Sequence, residues 1–162
     1  MNKIIPIKIN FEKDIQINYD ILKSSILKSS ILVVGGAGTI GSNYIKEILH
    51  FKPSKLVVVD INENGLTELT RDLRSSNLLD YDIDYITYPV NLLSDTFDKI
   101  INSIKWDIIA NFSAHKHVRS EKDKISVEAL IKNNVYGAIK LLDHCAKKPP
   151  KYFPLPSWGQ LK

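Results

Sequence analysis

The sequence predicts an α/β fold in which helices cover both faces of a parallel sheet. Four short, almost wholly apolar runs alternate with segments whose apolar residues recur at helical spacing, which is the pattern of β-α-β units. Strands this apolar are typical of a sheet that is buried on both faces. Four of the seven glycines fall within residues 35–41, directly after the first apolar run, which indicates a special backbone there.

Composition narrows the class of protein. The 162 residues are 44% hydrophobic and 25% charged, as in one ordinary globular domain, so collagen-like, disordered and disulfide-rich chains are excluded. Cys145 is the single cysteine, and neither a secretory signal nor an apolar run of about 20 residues is present. We therefore expect a cytoplasmic protein with no membrane partner. The net charge of +4 comes from interleaved charges, so no nucleic-acid partner is expected.

The elements are predicted in order along the chain. Residues 1–30 form an N-terminal arm, extended around Ile4–Ile9, and a short helix over Tyr19–Leu27. Residues 31–148 form the domain, with predicted strands at Ile31–Val34, Leu56–Val59, Ile83–Tyr88 and Ile108–Phe112. Helical spacing predicts four helices between and after these strands. Their apolar residues are Ile40, Tyr44, Ile45, Ile48 and Leu49; Leu66, Leu69 and Leu73; Phe97, Ile100, Ile101 and Ile104; and Val127, Leu130, Ile131, Val135, Ala138, Leu141 and Cys145. Residues 149–162 hold four of the seven prolines and are predicted to be an irregular tail.

The glycine cluster fits a phosphate-binding turn. It contains G-x-G-x-x-G at Gly36, Gly38 and Gly41, and G-x-x-G-x-x-G beginning at Gly35, between a predicted strand and a predicted helix. Glycines there permit a tight turn and let the backbone approach a pyrophosphate, while the helix N-terminus offers N–H groups to the anion. The alternative is that the glycines only pack the strand closely against the helix.

An acidic residue follows the second predicted strand. Asp60 lies about 20 residues after Gly41, where a dinucleotide-binding unit places the carboxylate that holds the adenosine ribose. A carboxylate repels a 2′-phosphate, and the next arginines are Arg71 and Arg74 on the following helix, so the pattern favours NAD over NADP. The alternative is that Asp60 only caps the next turn.

Four segments together resemble a known family. They are ILVVGGAGTIGS (31–42), LVVVDINENGLTELTRDL (56–73), WDIIANFSAHKHV (106–118) and ALIKNNVYGAIKLLDHC (129–145). From Ile31 to Phe153 the chain resembles the N-terminal part of an extended short-chain dehydrogenase/reductase. The resemblance is strongest to the polysaccharide-biosynthesis branch of nucleotide-sugar 4,6-dehydratases and epimerases, and it implies a doubly wound, Rossmann-like sheet that binds NAD(P).

The resemblance also implies which residues bind the cofactor. Thr39 and Ile40 with the glycines would hold the pyrophosphate, Asp60 the adenosine ribose, and Asn91 would lie beside the adenine. Ser113, Ala114 and Lys116 would lie toward the nicotinamide ribose and the sugar nucleotide, although Lys116 with His117 could equally be a solvated pair. The complete implied set is Gly35, Gly38, Thr39, Ile40, Gly41, Asp60, Asn91, Leu92, Ser113, Ala114 and Lys116.

Members of this family use a tyrosine whose phenol is made acidic by a lysine four residues on, in a region that follows the fourth helix. After Phe153 this chain continues with prolines at alternate positions, which cannot donate to a central ladder, so we expect no fifth strand. We expect an incomplete sheet of about four strands, without the C-terminal half of the family fold.

Tyr136 and Lys140 have the catalytic spacing but lie on the fourth helix, and we interpret them as non-catalytic. The histidines lack metal-ligand partners at suitable spacing, so no metal site is predicted.

These patterns favour two functions, and a third possibility is a full oxidoreductase of other specificity, such as a sugar reductase, whose catalytic half is supplied elsewhere. The first is the NAD(P)-binding portion of a nucleotide-sugar dehydratase or epimerase, inactive alone as a truncated or naturally short form, with a nucleotide-sugar partner only where the missing half is supplied. The second is a non-catalytic Rossmann-like module that associates with itself or another chain through its exposed sheet edge. The sequence does not distinguish a dehydratase from an epimerase or identify the sugar.

Overall fold

A computed structural model describes residues 11–114 and 123–154, and its centre is a four-stranded parallel sheet. The strands are β1 (Ser30–Val34), β2 (Lys55–Asp60), β3 (Asp84–Pro89) and β4 (Ile108–Asn111). Their order in the sheet is β3-β2-β1-β4, and every pair is parallel, with Val34 opposite both Val59 and Asn111. The predicted fold class and all four predicted strands are confirmed.

Seven α-helices and one π-helical turn surround the sheet in the described part of the chain. They are α1 (Phe11–Ile17), α2 (Tyr19–Ile26), α3 (Thr39–Leu49), α4 (Glu63–Ser75), α5 (Asp95–Asn102), α6 (Lys124–Ile131), the π-helical turn (Lys132–Tyr136) and α7 (Gly137–Lys147). The short predicted helix over Tyr19–Leu27 corresponds to α2. Helix α1 was not predicted, and the proposed arm around Ile4–Ile9 lies outside the described residues.

Alternate residues of β1 enter two separate cores, one on each face of the sheet. Ile31 and Val33 contact the first core, which α2, α3 and α4 complete, whereas Leu32 and Val34 contact the second, to which α5 and α7 contribute. This arrangement is the doubly wound architecture, in which right-handed crossovers place helices on both faces. No helix among residues 11–114 and 123–154 has the length and apolar character needed to cross a bilayer.

Side-chain caps set several of the helix starts. Asn62 accepts from Gly65 N at 3.0 Å before α4, and Ser94 accepts from Phe97 N at 3.2 Å before α5. Asp123 begins α6 by accepting from the backbone N–H groups of Ser126 and Ile125, each at 2.8 Å. These two donors stabilise the carboxylate and lower the pKa of Asp123 below its ordinary value.

The predicted fourth helix is present, but its buried face differs from the predicted one. Leu141 of the predicted apolar stripe is fully buried, but Val127, Ile131 and Val135 are exposed, and the helix also buries Asn134 and Gly137, which were not part of that stripe. The π-helical turn inserts an extra residue per turn, so a stripe drawn at the α-helical period changes face across it. Gly137 allows close contact, since a Cβ atom there would lie 2.7 Å from Leu92 Cδ2.

The start of the predicted irregular tail pairs with the outer edge of β4. Tyr152 forms a parallel bridge with Ile108, and Tyr152 and Pro154 accept hydrogen bonds from Ile109 N and Asn111 N at 3.2 and 3.3 Å. In this register Pro154 stands where a ladder needs a donor for the carbonyl of Ile109, and proline has no N–H. Within residues 151–154 the pairing therefore stops short of a regular strand, and residues 155–162 lie outside the described part.

Candidate cofactor-binding site

A pocket of about 170 Å³ opens at the carboxyl ends of the strands. It lies where β1 has neighbours on both sides whose connections run in opposite directions, the switch point at which open α/β sheets bind ligands. The pocket is lined by Val34, Gly35, Gly38, Val59, Asp60, Ile61, Val90, Leu92, Phe112, Ser113, Ala114 and Asn133. The chain thus brings six of the predicted site residues to one cavity: Gly35, Gly38, Asp60, Leu92, Ser113 and Ala114.

Two glycines of the turn after β1 are required by packing. Gly35 has φ of +75°, and a Cβ atom there would lie 2.4 Å from Ser113 N. At Gly41 a Cβ atom would lie 2.4 Å from the carbonyl oxygen of Gly35. Both contacts are with backbone, which cannot move aside, so these positions accept only glycine without rearrangement.

Gly38 differs from its neighbours in the turn. Its φ of −74° suits any residue, and a Cβ atom there would meet only the carbonyl oxygen of Gly35, at 3.6 Å. Close packing of strand and helix, the alternative explanation of the motif, accounts for Gly35 and Gly41 but not for Gly38. What Gly38 provides is open space on the pocket side of the turn.

The turn leads directly into the N-terminus of α3. Gly38 occupies the N-cap position and offers no side chain, and no acidic residue lies in the first turn of the helix. The first N–H groups of an α-helix have no partner within the helix, and they attract anions. The side chains of Thr39 and Ile40 are exposed and Gly41 is buried, and none of the three lines the pocket. At Thr39 and Ile40 the chain offers an anion the backbone N–H groups at the start of α3.

Asp60 joins the end of β2 to the glycine turn. Its Oδ2 accepts from Ala37 N at 2.9 Å, and its Oδ1 accepts from Asn62 N at 3.0 Å. Asp60 therefore does fix the next turn, as the alternative interpretation proposed, and it also faces the pocket. A carboxylate has about four acceptor directions, so two hydrogen bonds leave capacity for hydroxyl donors. Arg71 is exposed in the second half of α4.

Asn91 does not line the pocket. Asn91 is exposed, and its Oδ1 accepts from Leu93 N at 2.8 Å in the turn before α5. Lys116 and its neighbour His117 lie outside the described residues. Leu92, which follows Asn91, is buried and lines the pocket.

Asn133 lines the pocket and was not predicted. It stands in the π-helical turn, and its Nδ2 donates to Asn134 Oδ1 at 3.0 Å. In the sequence, the adjacent asparagines Asn133 and Asn134, shortly before Gly137, could have indicated a polar site on this helix. The α-helical period does not show which of them faces inward, because the π-helical turn changes the phase.

The lysine of the tyrosine–lysine pair on the fourth helix contacts groups near the start of α5. Lys140 Nζ lies 2.8 Å from Asp98 Oδ1 and 3.2 Å from the carbonyl oxygen of Ser94, both near the start of α5. Tyr136 is 55% exposed. A lysine that is to acidify a phenol has to face it, whereas this lysine pairs with a carboxylate, which favours the non-catalytic interpretation. Among residues 11–114 and 123–154 there is no group of three His, Cys, Asp or Glu side chains suited to a metal ion.

Comparison with known sequences gives matches over most of the chain. The model of a family described as "Polysaccharide biosynthesis protein" matches residues 31–153. A dTDP-D-glucose 4,6-dehydratase of Dictyostelium discoideum is 32% identical over 142 residues, 81% of this chain and 29% of the relative. An uncharacterized membrane protein of Methanocaldococcus jannaschii is 31% identical over 114 residues, 70% of this chain and 31% of the relative. The chain thus spans about a third of the length of these relatives.

Solved structures share the fold at lower identity. An epimerase from Methanothermobacter thermautotrophicus superimposes with a TM-score of 0.67 at 19% identity, covering 87% of this chain and 38% of the epimerase. The Bordetella bronchiseptica enzyme WbmF in complex with NADH gives a TM-score of 0.58 at 18% identity, covering 82% and 35%. With the family model matching residues 31–153, the chain belongs to the polysaccharide biosynthesis family, in its branch of nucleotide-sugar 4,6-dehydratases and epimerases.

Proposed function

We propose that residues 31–153 bind NAD at the carboxyl end of the sheet, as the dinucleotide-binding part of a nucleotide-sugar dehydratase or epimerase. The observation that carries this proposal is the open backbone at Gly38, between a carboxylate at the end of β2 and the uncapped N-terminus of α3. A Cβ atom at Gly38 would extend into the space that a pyrophosphate needs. Packing gives no other reason for glycine at this position.

Each part of the dinucleotide has a partner in this proposal. The N–H groups at the start of α3 bind the pyrophosphate, and the free acceptor directions of Asp60 bind the adenosine ribose hydroxyls. Ser113 and Ala114 lie toward the nicotinamide ribose, and Leu92 provides an apolar wall. Roles for Asn91 beside the adenine and for Lys116 near the sugar nucleotide stay predictions. NAD, when bound, supplies the acceptor for a hydride from the sugar.

The pocket volume limits what it holds. Pockets that bury most of a drug-sized ligand have volumes of about 300–1,000 Å³, and this cavity has about 170 Å³. We assign to it the pyrophosphate and the riboses that flank it, and we place the two bases along the open edge of the sheet.

The choice of NAD over NADP depends on Asp60. A 2′-phosphate on the adenosine ribose would approach its carboxylate, and the side chain that follows is the apolar Ile61. WbmF, which was solved with NADH, supports a nicotinamide cofactor for this fold. The cytoplasmic location stays a prediction, since one relative of comparable identity is described as a membrane protein.

The test is a titration of the purified chain with NADH and with NADPH, in which the fluorescence of the ligand reports binding. We expect saturable NADH binding, weaker NADPH binding, and at least about tenfold weaker NADH binding by Asp60→Ala, because two charge-assisted hydrogen bonds are lost. The matched control is Glu63→Gln, which removes a nearby exposed carboxylate at the start of α4 and leaves binding unchanged. Absence of NADH binding at millimolar concentration contradicts the proposal.

A second candidate function is that of an interaction module, and one observation favours it. The outer face of α6 and α7 carries an exposed apolar stripe of Val127, Ile131, Val135, Ile139 and Leu142. Apolar stripes of this kind mark association surfaces on soluble domains. Light scattering after size-exclusion chromatography tests it: this function requires an oligomer that Ile131→Glu with Ile139→Glu dissociates, and a monomer at all concentrations contradicts it.

A further inference from the structure

The last residue of β4 fixes the side chain that follows it in the pocket. Asn111 is buried, with 5% of its surface exposed. Its Oδ1 lies 3.0 Å from Ser113 N and 2.6 Å from Ser113 Oγ. Ser113 lines the pocket, whereas Asn111 stands behind it.

Elementary hydrogen-bond chemistry gives the direction of both bonds. A backbone N–H only donates, so the side-chain atom that faces Ser113 N is the amide oxygen of Asn111 and not its nitrogen. An amide oxygen only accepts, so the hydroxyl of Ser113 donates its one proton to it. Ser113 Oγ then has only lone pairs left, so it presents a hydrogen-bond acceptor to the pocket.

Three hydrogen-bonding groups consequently lie side by side at the carboxyl ends of the strands. Asp60 follows β2, the glycine turn follows β1, and Ser113 follows β4, and the sheet order places β1 between the other two. The two outer groups are acceptors, and the N–H groups at the start of α3 between them are donors. A dinucleotide presents the complementary sequence of hydroxyl donors, phosphate acceptors and hydroxyl donors.

We infer that Asn111 is a positioning residue that makes Ser113 a dedicated acceptor for a hydroxyl of the ribose on the nicotinamide side. This inference rests on the proposed binding of NAD, and it adds the atom of Ser113 that recognises the second ribose, Oγ as an acceptor, and the residue that orients it, Asn111. The turn that carries Ser113 is held in place, because a Cβ atom at Gly35 would lie 2.4 Å from Ser113 N and the two turns are in contact. The hydroxyl of Ser113 is thus fixed both in direction and in place.

The test compares three probes that differ by one part each: ADP, ADP-ribose and NADH. ADP lacks the second ribose, so the ratio of the ADP-ribose and ADP dissociation constants isolates the contribution of that ribose. In Ser113→Ala we expect affinity for ADP-ribose and NADH to fall by about threefold to tenfold, the value of one neutral hydrogen bond, with ADP unchanged. Asn111→Ala gives the same pattern, and the double variant shows no further loss, because the two residues act as one unit.

A second variant of Asn111 keeps the test decisive if the alanine variant fails to fold. Asn111→Asp retains an oxygen acceptor for both hydrogen bonds. Its negative charge lowers the affinity for all three anionic probes by a similar factor. Its ADP-ribose to ADP ratio therefore stays that of the unmodified chain.

Each of five outcomes would overturn the inference. Equal losses of ADP and ADP-ribose in Ser113→Ala remove the ribose assignment, and a loss confined to NADH assigns Ser113 to the nicotinamide carboxamide instead. Additive losses in the double variant show that Asn111 does not act through Ser113. An unmodified chain that binds none of the three probes overturns the proposed function and this inference with it, whereas binding of all three with an unchanged ratio in the variants overturns this inference alone.

Discussion

The two halves of the sheet use their helices in opposite ways. From β1 to β3 each helix turns its apolar side to the core: Leu66, Leu69 and Leu73 of α4 are all buried. After β4 the α6–α7 segment buries Asn134, Gly137 and Leu141 and leaves apolar side chains exposed on its outer face. The helices of the first half therefore bury mainly apolar side chains, whereas the second half also turns a small and a polar residue inward, beside the pocket.

This difference separates stability from function within one small domain. Apolar burial contributes about 25 cal/mol per Å², and the helices of the first half bury their apolar side chains, so these helices contribute mainly to stability. The inward face of α6–α7 instead lets the chain approach Leu92 and places Asn133 on the pocket. Substitutions in the two halves should consequently affect different measurements.

Gly35→Ala should have the largest effect, because Gly35 joins the two halves at the turn after β1. Alanine there adds the cost of a positive φ, about 1–2 kcal/mol, to a backbone clash with Ser113 that costs about 1–3 kcal/mol. The free energy of unfolding, measured in urea, should fall by about 4 kcal/mol.

Gly38→Ala is the matched control for this prediction. Its Cβ atom meets no close backbone atom, so stability should change by less than about 0.5 kcal/mol while NADH binding weakens. If Gly38→Ala lowers the free energy of unfolding but leaves the affinity for NADH unchanged, glycine at this position serves packing alone.

Leu73→Ala tests the core of the first half. Leu73 is fully buried on α4, and removal of such a side chain costs about 3 kcal/mol through lost burial and the cavity left behind. Ile131→Ala, on the outer face of α6, should cost less than about 0.5 kcal/mol in the same unfolding measurement. Equal losses at the two positions would mean that the outer stripe is covered in solution.

The same division decides what the sequence could predict. The four strands and α3 to α5 follow from local periodicity and spacing, because each strand is a short, largely apolar run and each of these helices has one apolar face. The hydrogen bond from Ala37 N to Asp60 was not predicted. The fourth helix has apolar residues on both sides and a π-helical turn, so its period does not show which face is buried. Asn133 was missed for that reason. The role of Asn111 was missed because it depends on a turn geometry that no spacing reports.

Asp107 predicts an effect of pH where β4 begins. Its carboxylate accepts from Ser30 N at 2.9 Å and pairs with Lys151 at 2.9 Å, and the Ser30 N–H contributes most to holding its pKa below the ordinary value. The resulting stability is present above the ordinary pKa, near 4, and is lost as pH falls through the lower pKa of the folded state. Asp107→Asn should lower the free energy of unfolding by about 1 kcal/mol at neutral pH, since the group is partly exposed.

Thermal melts between pH 7 and pH 3 check this prediction. The difference in Tm between Asp107→Asn and the unmodified chain should shrink as the pH falls below about 4, because the native carboxylate is then progressively protonated. Asp80→Asn is the control at an exposed aspartate. A difference in Tm that is constant across this range would show that Asp107 acts through its shape and not through its charge.

The smallest effect is predicted for the tyrosine–lysine pair, where a motif search would expect the largest. Lys140→Met breaks a partly exposed ion pair with Asp98 and should lower stability by about 0.5 kcal/mol, because it loosens α7 from α5. Tyr136→Phe removes one exposed hydroxyl and should alter neither stability nor NADH binding. If Tyr136 and Lys140 were a catalytic pair, both substitutions would reduce the same activity. Here only Lys140→Met should have an effect, and only on the free energy of unfolding. A loss of NADH binding in Tyr136→Phe would place the phenol at the cofactor and would end the distinction between an inward functional face and an outward apolar one.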